Sequence, residues 1–313
     1  MASRLFRKHI ISAQQFTRSD LEEIFVLARK MREMSTRDRL EQLRGKHATL
    51  LFYEPSSRTA GSFDAAMKRL GGTTTLIVGM QYSSVAKGES LTDTVRTFAA
   101  FSDLLILRHK DIGSAEVAAG VLMNTPLMNA GDGAGEHPTQ ALLDLFTIHE
   151  ELGDLDGLTI TLLGDLKHGR TVHALVHLLS LYRVKLHLVS PSELCLPDAF
   201  LHELLKQRIV YEEHRRLDSV LPETDVLYVT RAQTEREPNE AKRASMVDDY
   251  RAYVLTPERM MAAKKRMIIM HPFPRNEEIA HDVDSDPRAA YFRQIEYGLY
   301  VRMALLALVL GTA

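Results

Sequence analysis

A single cysteine, Cys195, stands in 313 residues, so the chain can close no disulfide on itself and cannot build a thiolate zinc centre. A reducing, cytoplasmic setting is the expectation. No apolar run reaches the roughly 18 residues that a bilayer-crossing helix needs. The most apolar stretch, 303–310, suits a buried helix instead. The opening residues, MASRLFRKHI, lack the apolar centre of a signal peptide. Net charge is scarce too, at -2 from 39 basic and 41 acidic residues, so no global field favours nucleic acid or an anionic membrane. Any anion must be held by a local cluster of cations. There is no fixed-period repeat and no low-complexity segment. The Gly-x-Gly-x-x-Gly fingerprint is absent, which argues against a nicotinamide dehydrogenase, and so is the His-Glu-x-x-His metal spacing. No Ser/His/Asp pairing is evident. No metal and no cofactor is assigned.

What is present is ordinary globular composition, 45% hydrophobic and 26% charged, in a chain long enough for two medium domains. Strand-length apolar runs at 48–53, 73–78, 104–107 and 127–129 alternate with helical patterns at 59–70 and 90–101. A second series follows, with strands at 158–163, 185–189, 226–228 and 267–270 and helices at 171–182 and 196–207. Alternation of this kind means βαβ units. The expectation is an α/β chain of two domains, each with a mostly parallel sheet flanked by helices, joined by interdomain helices. The break falls at the helix 139–152 and the turn-rich stretch 153–157. The domains are then 1–140 and 153–287. A long helical pattern closes the chain; it can pack on either half, and 288–313 packing back on the first is the expectation.

Seven stretches carry candidate chemistry, all read directly from the sequence. In Glu54-Pro55-Ser56-Ser57-Arg58-Thr59 a strand runs into hydroxyls and an arginine at a helix start, where free N–H groups and the helix dipole favour an anion. Ser83 and Lys87 lie in a polar loop, and a lysine on such a tether can reach over a charged ligand. Arg108 follows a strand, at the end where α/β sheets place ligands. His137 and Gln140 open a helix after a glycine-rich turn, three residues apart and able to face one side. Arg170 starts a helix after the stretch Gly164-Asp165-Leu166-Lys167-His168-Gly169 and suggests a carboxylate partner. Arg231 and Gln233 follow another strand. In His271-Pro272-Phe273-Pro274 two prolines suggest an extended turn whose carbonyls, Pro272 and Phe273, can accept protons from a ligand amine.

Together these stretches resemble the aspartate/ornithine carbamoyltransferase family over essentially the whole chain. Ser56-Ser57-Arg58-Thr59 resembles its Ser-Thr-Arg-Thr phosphate motif with one hydroxyl exchanged for another, and His137-Pro138-Thr139-Gln140 matches its His-Pro-x-Gln. The ornithine branch carries His-Cys-Leu-Pro where this chain has His271-Pro272-Phe273-Pro274. The aspartate branch usually has leucine or methionine at position 273. The stretch 164–173 and Arg231-Ala232-Gln233 are also similar to the aspartate branch. Residues 284–293 resemble the carbamoyltransferase domain of the multifunctional pyrimidine polypeptide of animals and fungi.

The resemblance implies transfer of a carbamoyl group from carbamoyl phosphate to L-aspartate, with carbamoyl phosphate bound by the first domain and aspartate by the second. It implies a catalytic set of Arg58, Thr59, Arg108, His137 and Lys87. Carbamoyl phosphate is expected on Ser56, Ser57, Arg58, Thr59, Arg108, His137, Gln140, Pro272 and Phe273. Aspartate is expected on Ser83, Lys87, Arg170, Arg231 and Gln233. A homotrimer is implied, Ser83 and Lys87 being donated across the interface, as is a possible fusion to carbamoyl-phosphate synthetase and dihydroorotase domains. Alternatives are an ornithine-type carbamoyltransferase or a non-catalytic trimeric scaffold.

Overall fold

The computed structural model describes residues 3–80, 84–233, 250 and 252–311. The chain divides into two compact units, Met1–Leu143 with Glu296–Ala313, and Asp144–Ile295.

Unit 1 holds four parallel strands, β1 (His47–Phe52), β2 (Thr73–Val78), β3 (Leu104–His109) and β4 (Leu127–Asp132), in the order β2-β1-β3-β4. Every residue of β3 and β4 is buried, as a strand covered on both faces requires, whereas the edge strand β2 exposes part of its length. Helices α1 (Arg18–Glu33), α2 (Thr36–Glu41), α3 (Ser57–Arg69), α4 (Leu91–Ala99) and α5 (Ser114–Ala119) connect and flank the strands. In α3 the buried positions Ala60, Phe63, Ala66 and Met67 recur at helical spacing. On the sheet, Leu51, Leu105, Leu107 and Leu127 form one core cluster with Val95 of α4 and Ala115 and Ala118 of α5.

Unit 2 holds β5 (Thr159–Leu163), β6 (Lys185–Val189), β7 (Val210–His214), β8 (Val226–Val229) and β9 (Ile268–Met270), all parallel, in the order β7-β6-β5-β8-β9. Its helices include α7 (Arg170–Leu179), α8 (Asp198–Lys206) and α9 (Pro257–Met260). Two further helices, α6 (Pro138–Leu152) and α10 (Tyr291–Leu310), each contribute residues to both units. Within unit 2, the fully buried Asp144 of α6 accepts hydrogen bonds from Tyr228 Oη of β8 at 2.7 Å and from Gln294 Nε2 of α10 at 2.6 Å. Burial, with the Asp144 charge beside it, pushes the Tyr228 hydroxyl well above its ordinary pKa, so it stays a donor.

Several elements lie outside the expectations from sequence, among them the helices α1, α2, α5 and α9 and the strand β7. Helix α1 is anchored by a capping box between Thr17 and Asp20. Strand β7 reads Val-Tyr-Glu-Glu-His; it forms an edge with three of its five residues exposed, so it has no apolar run to announce it. Strand β4 also runs on to Asp132, three residues past its expected end.

Candidate active site

Both sheets contain a topological switch. In unit 1 the chain leaves β1 toward β2 on one flank, and leaves β3 toward β4 on the other. In unit 2 it leaves β5 toward β6 and β8 toward β9 in the same divergent way. Ligands of parallel α/β sheets bind outside the carboxyl ends of the strands at such a point.

In unit 1 the loop after β1 leads to Ser56, the N-cap of α3, whose side chain makes no capping hydrogen bond. The first turn of α3 holds no acidic residue, so the helix dipole and the leading N–H groups face an anion without a competing carboxylate. Thr59 is buried, while Ser57 and Arg58 are exposed. Arg108, beside Phe52 in the β1–β3 register, is only 8% exposed. Its Nη2 lies 2.9 Å from Glu54 Oε2 and its Nη1 donates to the Ala130 carbonyl at 3.1 Å. The guanidinium plane is therefore anchored at two edges. Arg58, in the first turn of α3, brings a second guanidinium to the carboxyl end of β1.

The loop after β4 completes this edge. Asp132 accepts the Gly113 N–H at 3.0 Å on one oxygen and the Glu136 N–H at 2.8 Å on the other. Gly133, at φ +55°, leaves no room for a Cβ, which would lie 2.5 Å from the Lys110 carbonyl oxygen. The fold of that loop delivers His137, whose carbonyl accepts the Gln140 and Ala141 N–H groups at 2.9 and 3.2 Å, with Pro138 as the first residue of α6. His137 is 3% exposed and Gln140 9%.

In unit 2 the loop after β5 turns at Gly164, φ +118°, where a Cβ would lie 2.0 Å from Tyr250 Oη. The Tyr250 hydroxyl donates to the Thr230 carbonyl and accepts the Asp165 N–H at 2.8 Å, joining the β5 loop to the β8 loop. Burial pushes that hydroxyl well above its ordinary pKa. The Asp165 side chain, fully buried, accepts the His168 N–H at 2.9 Å and the Gln233 N–H at 3.2 Å. One carboxylate thus fixes the approaches to both Arg170, the first residue of α7, and Arg231. Arg231 Nη1 donates to the Ala232 carbonyl at 3.1 Å.

The loop after β9 is set by a buried pair. His271 Nδ1 accepts the Phe273 N–H at 2.9 Å, so the ring proton sits on Nε2 and is donated to Glu278 Oε1 at 2.8 Å. Burial lowers the His271 pKa, which keeps the ring neutral as that pattern requires. Burial works to raise the Glu278 carboxyl, but the His271 and Asn276 donors outweigh it and hold it below its usual value. Phe273 is not extended. It sits at φ +53°, its ring against His271, Tyr291 and Phe292 at centroid distances of 5.5, 5.9 and 5.7 Å. The expected extended turn is corrected at that residue: aromatic packing holds it in the left-handed region.

A model of the aspartate/ornithine carbamoyltransferase carbamoyl-phosphate-binding domain matches residues 8–150, and one of the Asp/Orn-binding domain matches residues 156–309. The chain belongs to the aspartate/ornithine carbamoyltransferase family. It is 52% identical to the multifunctional protein pyr1-3 of Dictyostelium discoideum over 97% of this chain, but spans only 14% of that polypeptide. It is 46% identical to the aspartate carbamoyltransferase catalytic subunit of Methanopyrus kandleri, over 99% of each. A crystal structure of Trypanosoma cruzi aspartate transcarbamoylase in complex with carbamoyl phosphate and aspartate is 45% identical and superimposes with a TM-score of 0.91, covering 98% of each chain.

Within this carbamoyltransferase frame, unit 1 carries Ser56, Ser57, Arg58, Thr59, His137 and Gln140 on loops or helix starts at one edge of its sheet, and Arg108 inside β3, which runs to His109, two residues past its expected end; unit 2 carries Arg170, Arg231, Gln233, Pro272 and Phe273 at the corresponding edge of its own. Lys87 ends an exposed 3₁₀ turn, Ser84–Lys87. Ser83 lies outside the described residues. Glu54, Asp165 and Glu278 hold site residues in position and carry no candidate role from sequence. Glu54 and Asp165 act on partners distant in the chain, Arg108 and Gln233, which spacing does not reveal; Glu278 acts on His271, seven residues away, through a loop fold that spacing does not state. Among the described residues, one trio of side chains able to hold a metal converges elsewhere: His187, Glu212 and His214.

Proposed function

We infer that the chain transfers the carbamoyl group of carbamoyl phosphate to L-aspartate, giving N-carbamoyl-L-aspartate and phosphate, a step of de novo pyrimidine (UMP) synthesis. The observation that carries this reading is the pair of arginines at each switch point: Arg58 and Arg108 beside β1 and β3, Arg170 and Arg231 beside β5 and β8. Two substrates that repel each other need two cationic cradles before their reacting atoms can meet.

The α3 N-terminus supports Ser56, Ser57, Arg58 and Thr59 as the phosphate cradle. Arg108 bridges phosphate and carbonyl oxygen, and His137 donates to the same oxygen. Gln140 and the Pro272 and Phe273 carbonyls orient the carbamoyl nitrogen. Arg170, Arg231 and Gln233 take the aspartate carboxylates. The aspartate amine attacks the carbonyl carbon, charge gathers on the oxygen of the tetrahedral intermediate, and the carbon–oxygen bond to phosphate breaks. The departing phosphate accepts the amine proton, so the scheme calls for no dedicated protein base and no cofactor. Holding both reactants in line is worth roughly 7–11 kcal/mol.

The active unit in this reading is a homotrimer, with Ser83 and Lys87 reaching a neighbour's site; the exposure of Lys87 supports it. Mixing R58A chains with K87A chains then restores activity in hybrid trimers, and no recovery refutes the sharing. Fusion to carbamoyl-phosphate synthetase and dihydroorotase domains rests on the likeness to multifunctional relatives; the mass of the native polypeptide tests it. A cytoplasmic location rests on the lone cysteine; among the described residues no helix is long and apolar enough to cross a membrane. The activity itself is tested by supplying carbamoyl phosphate with aspartate or with ornithine. Carbamoyl-aspartate formation is expected, and turnover of ornithine in its place overturns the assignment.

A further inference from the structure

At the free edge of the unit 2 sheet, β6 and β7 pair in parallel with His187 opposite Glu212 and Val189 opposite His214. Side chains alternate faces along a strand, so Lys185 and His187 of β6 share one face with Glu212 and His214 of β7. His187 Nδ1 lies 3.0 Å from His214 Nε2 and 3.5 Å from Glu212 Oε2, and His214 Nε2 lies 3.3 Å from the same oxygen. A metal bound at 2.0–2.1 Å by tetrahedral nitrogen and oxygen donors separates them by about 3.3–3.4 Å. The three donor atoms therefore already occupy one face of such a tetrahedron, to within a few tenths of an ångström.

We propose that His187, Glu212 and His214 form a binding site for a borderline divalent transition-metal ion, with the fourth position open to solvent. Two imidazoles with one carboxylate select zinc, cobalt or nickel over magnesium or calcium. His187 is buried to 2% exposure while the Glu212 side chain is 47% exposed, so one ligand is rigidly set and the ion has a path in from water. Surroundings fit as well. His187 Nε2 has no hydrogen-bond partner and lies 3.7 Å from Glu223 Oε2, so a small approach of that carboxylate would let it orient the metal-bound imidazole through its other nitrogen. Lys185 holds Glu212 at 3.1 Å and Glu223 at 3.4 Å. Its ammonium opposes a cation, but two carboxylates against one ammonium leave a net negative charge.

The site is tested on the full chain after stripping with a chelator and dialysis. Cobalt(II) is titrated and followed by the visible bands of a four-coordinate complex; zinc is followed by calorimetry. One equivalent is expected to bind, and H214Q and E212Q are each expected to weaken binding at least about ten-fold. Both variants alter the more exposed ligands, and equal thermal midpoints of the metal-free proteins establish that they are folded. Absence of the four-coordinate bands from the wild-type protein overturns the proposal. So does unchanged affinity in both folded variants, which would place the ion on other histidines or Cys195.

Discussion

Replacing Glu278 tests how the β9 loop is held. Its Oε1 accepts two donors, His271 Nε2 at 2.8 Å and the Asn276 N–H at 3.1 Å, and the two side chains of the pair are 1% and 4% exposed. E278A leaves the buried His271 donor without that acceptor, whereas the N–H of the exposed Asn276 can turn to water. At about 1–3 kcal/mol for the unsatisfied group and about 1 kcal/mol for the second hydrogen bond, the loss centres near 3 kcal/mol. A midpoint shift of about 2–4 °C per kcal/mol, typical of units this size, puts the fall near 10 °C. E278Q keeps an oxygen in place and loses only the charge assistance, so it costs about 1–3 kcal/mol and falls about half as far. Scanning calorimetry measures both. The same loop offers the Pro272 and Phe273 carbonyls, so carbamoyl-phosphate KM is expected to rise in E278Q well below its melting temperature. Equal midpoints for E278A and E278Q, or a fall below about 2 °C in E278A, would refute the reasoning.

The same pair sets a pH dependence. The His271 pKa in the folded protein lies below its ordinary 6.5, so the unfolded chain binds the proton more readily; this stability is complete above pH 6.5 and drains as pH falls. Glu278, held below its ordinary 4.5, adds a loss of the same sign further into acid. Urea midpoints that rise between pH 7.5 and 5.5 would contradict this. R108K keeps a charge beside Glu54 but not the two-edged anchorage, so kcat is expected to fall on the order of 100-fold with the thermal midpoint within about 4 °C of wild type; steady-state assay and melting curves check it. Y228F removes a donor from the buried Asp144 and is expected to cost about 1.5–3 kcal/mol in urea unfolding, with no change expected in aspartate KM.

The two parallel sheets were legible because strands covered on both faces are mostly apolar: Leu104–His109 opens on four apolar residues, and Lys185–Val189 keeps its start and end although Lys185 and His187 interrupt the run. Strand β7 was not, since its edge position tolerates Val-Tyr-Glu-Glu-His. The polar loops at the carboxyl edges were legible as motifs, because a helix start with hydroxyls and an arginine states its chemistry locally. Groups that hold those loops were hidden. Asp165 meets Gln233 across 68 residues, and His187 meets His214 across 27, pairings that follow from strand order and register alone. The left-handed Phe273 was hidden for a related reason: the rings that hold it, Tyr291 and Phe292, come from α10.

The proposed transfer assigns carbamoyl phosphate to groups at the unit 1 sheet edge and aspartate to groups at the unit 2 sheet edge. A crystal structure of the chain with phosphonoacetyl-aspartate, which joins mimics of both substrates covalently, tests it most directly. The phosphonate is expected on the α3 N-terminus and Arg108, with the two carboxylates on Arg170 and Arg231. A bound analogue whose phosphonate touches neither Arg58 nor Arg108, or whose carboxylates avoid both unit 2 arginines, would contradict it.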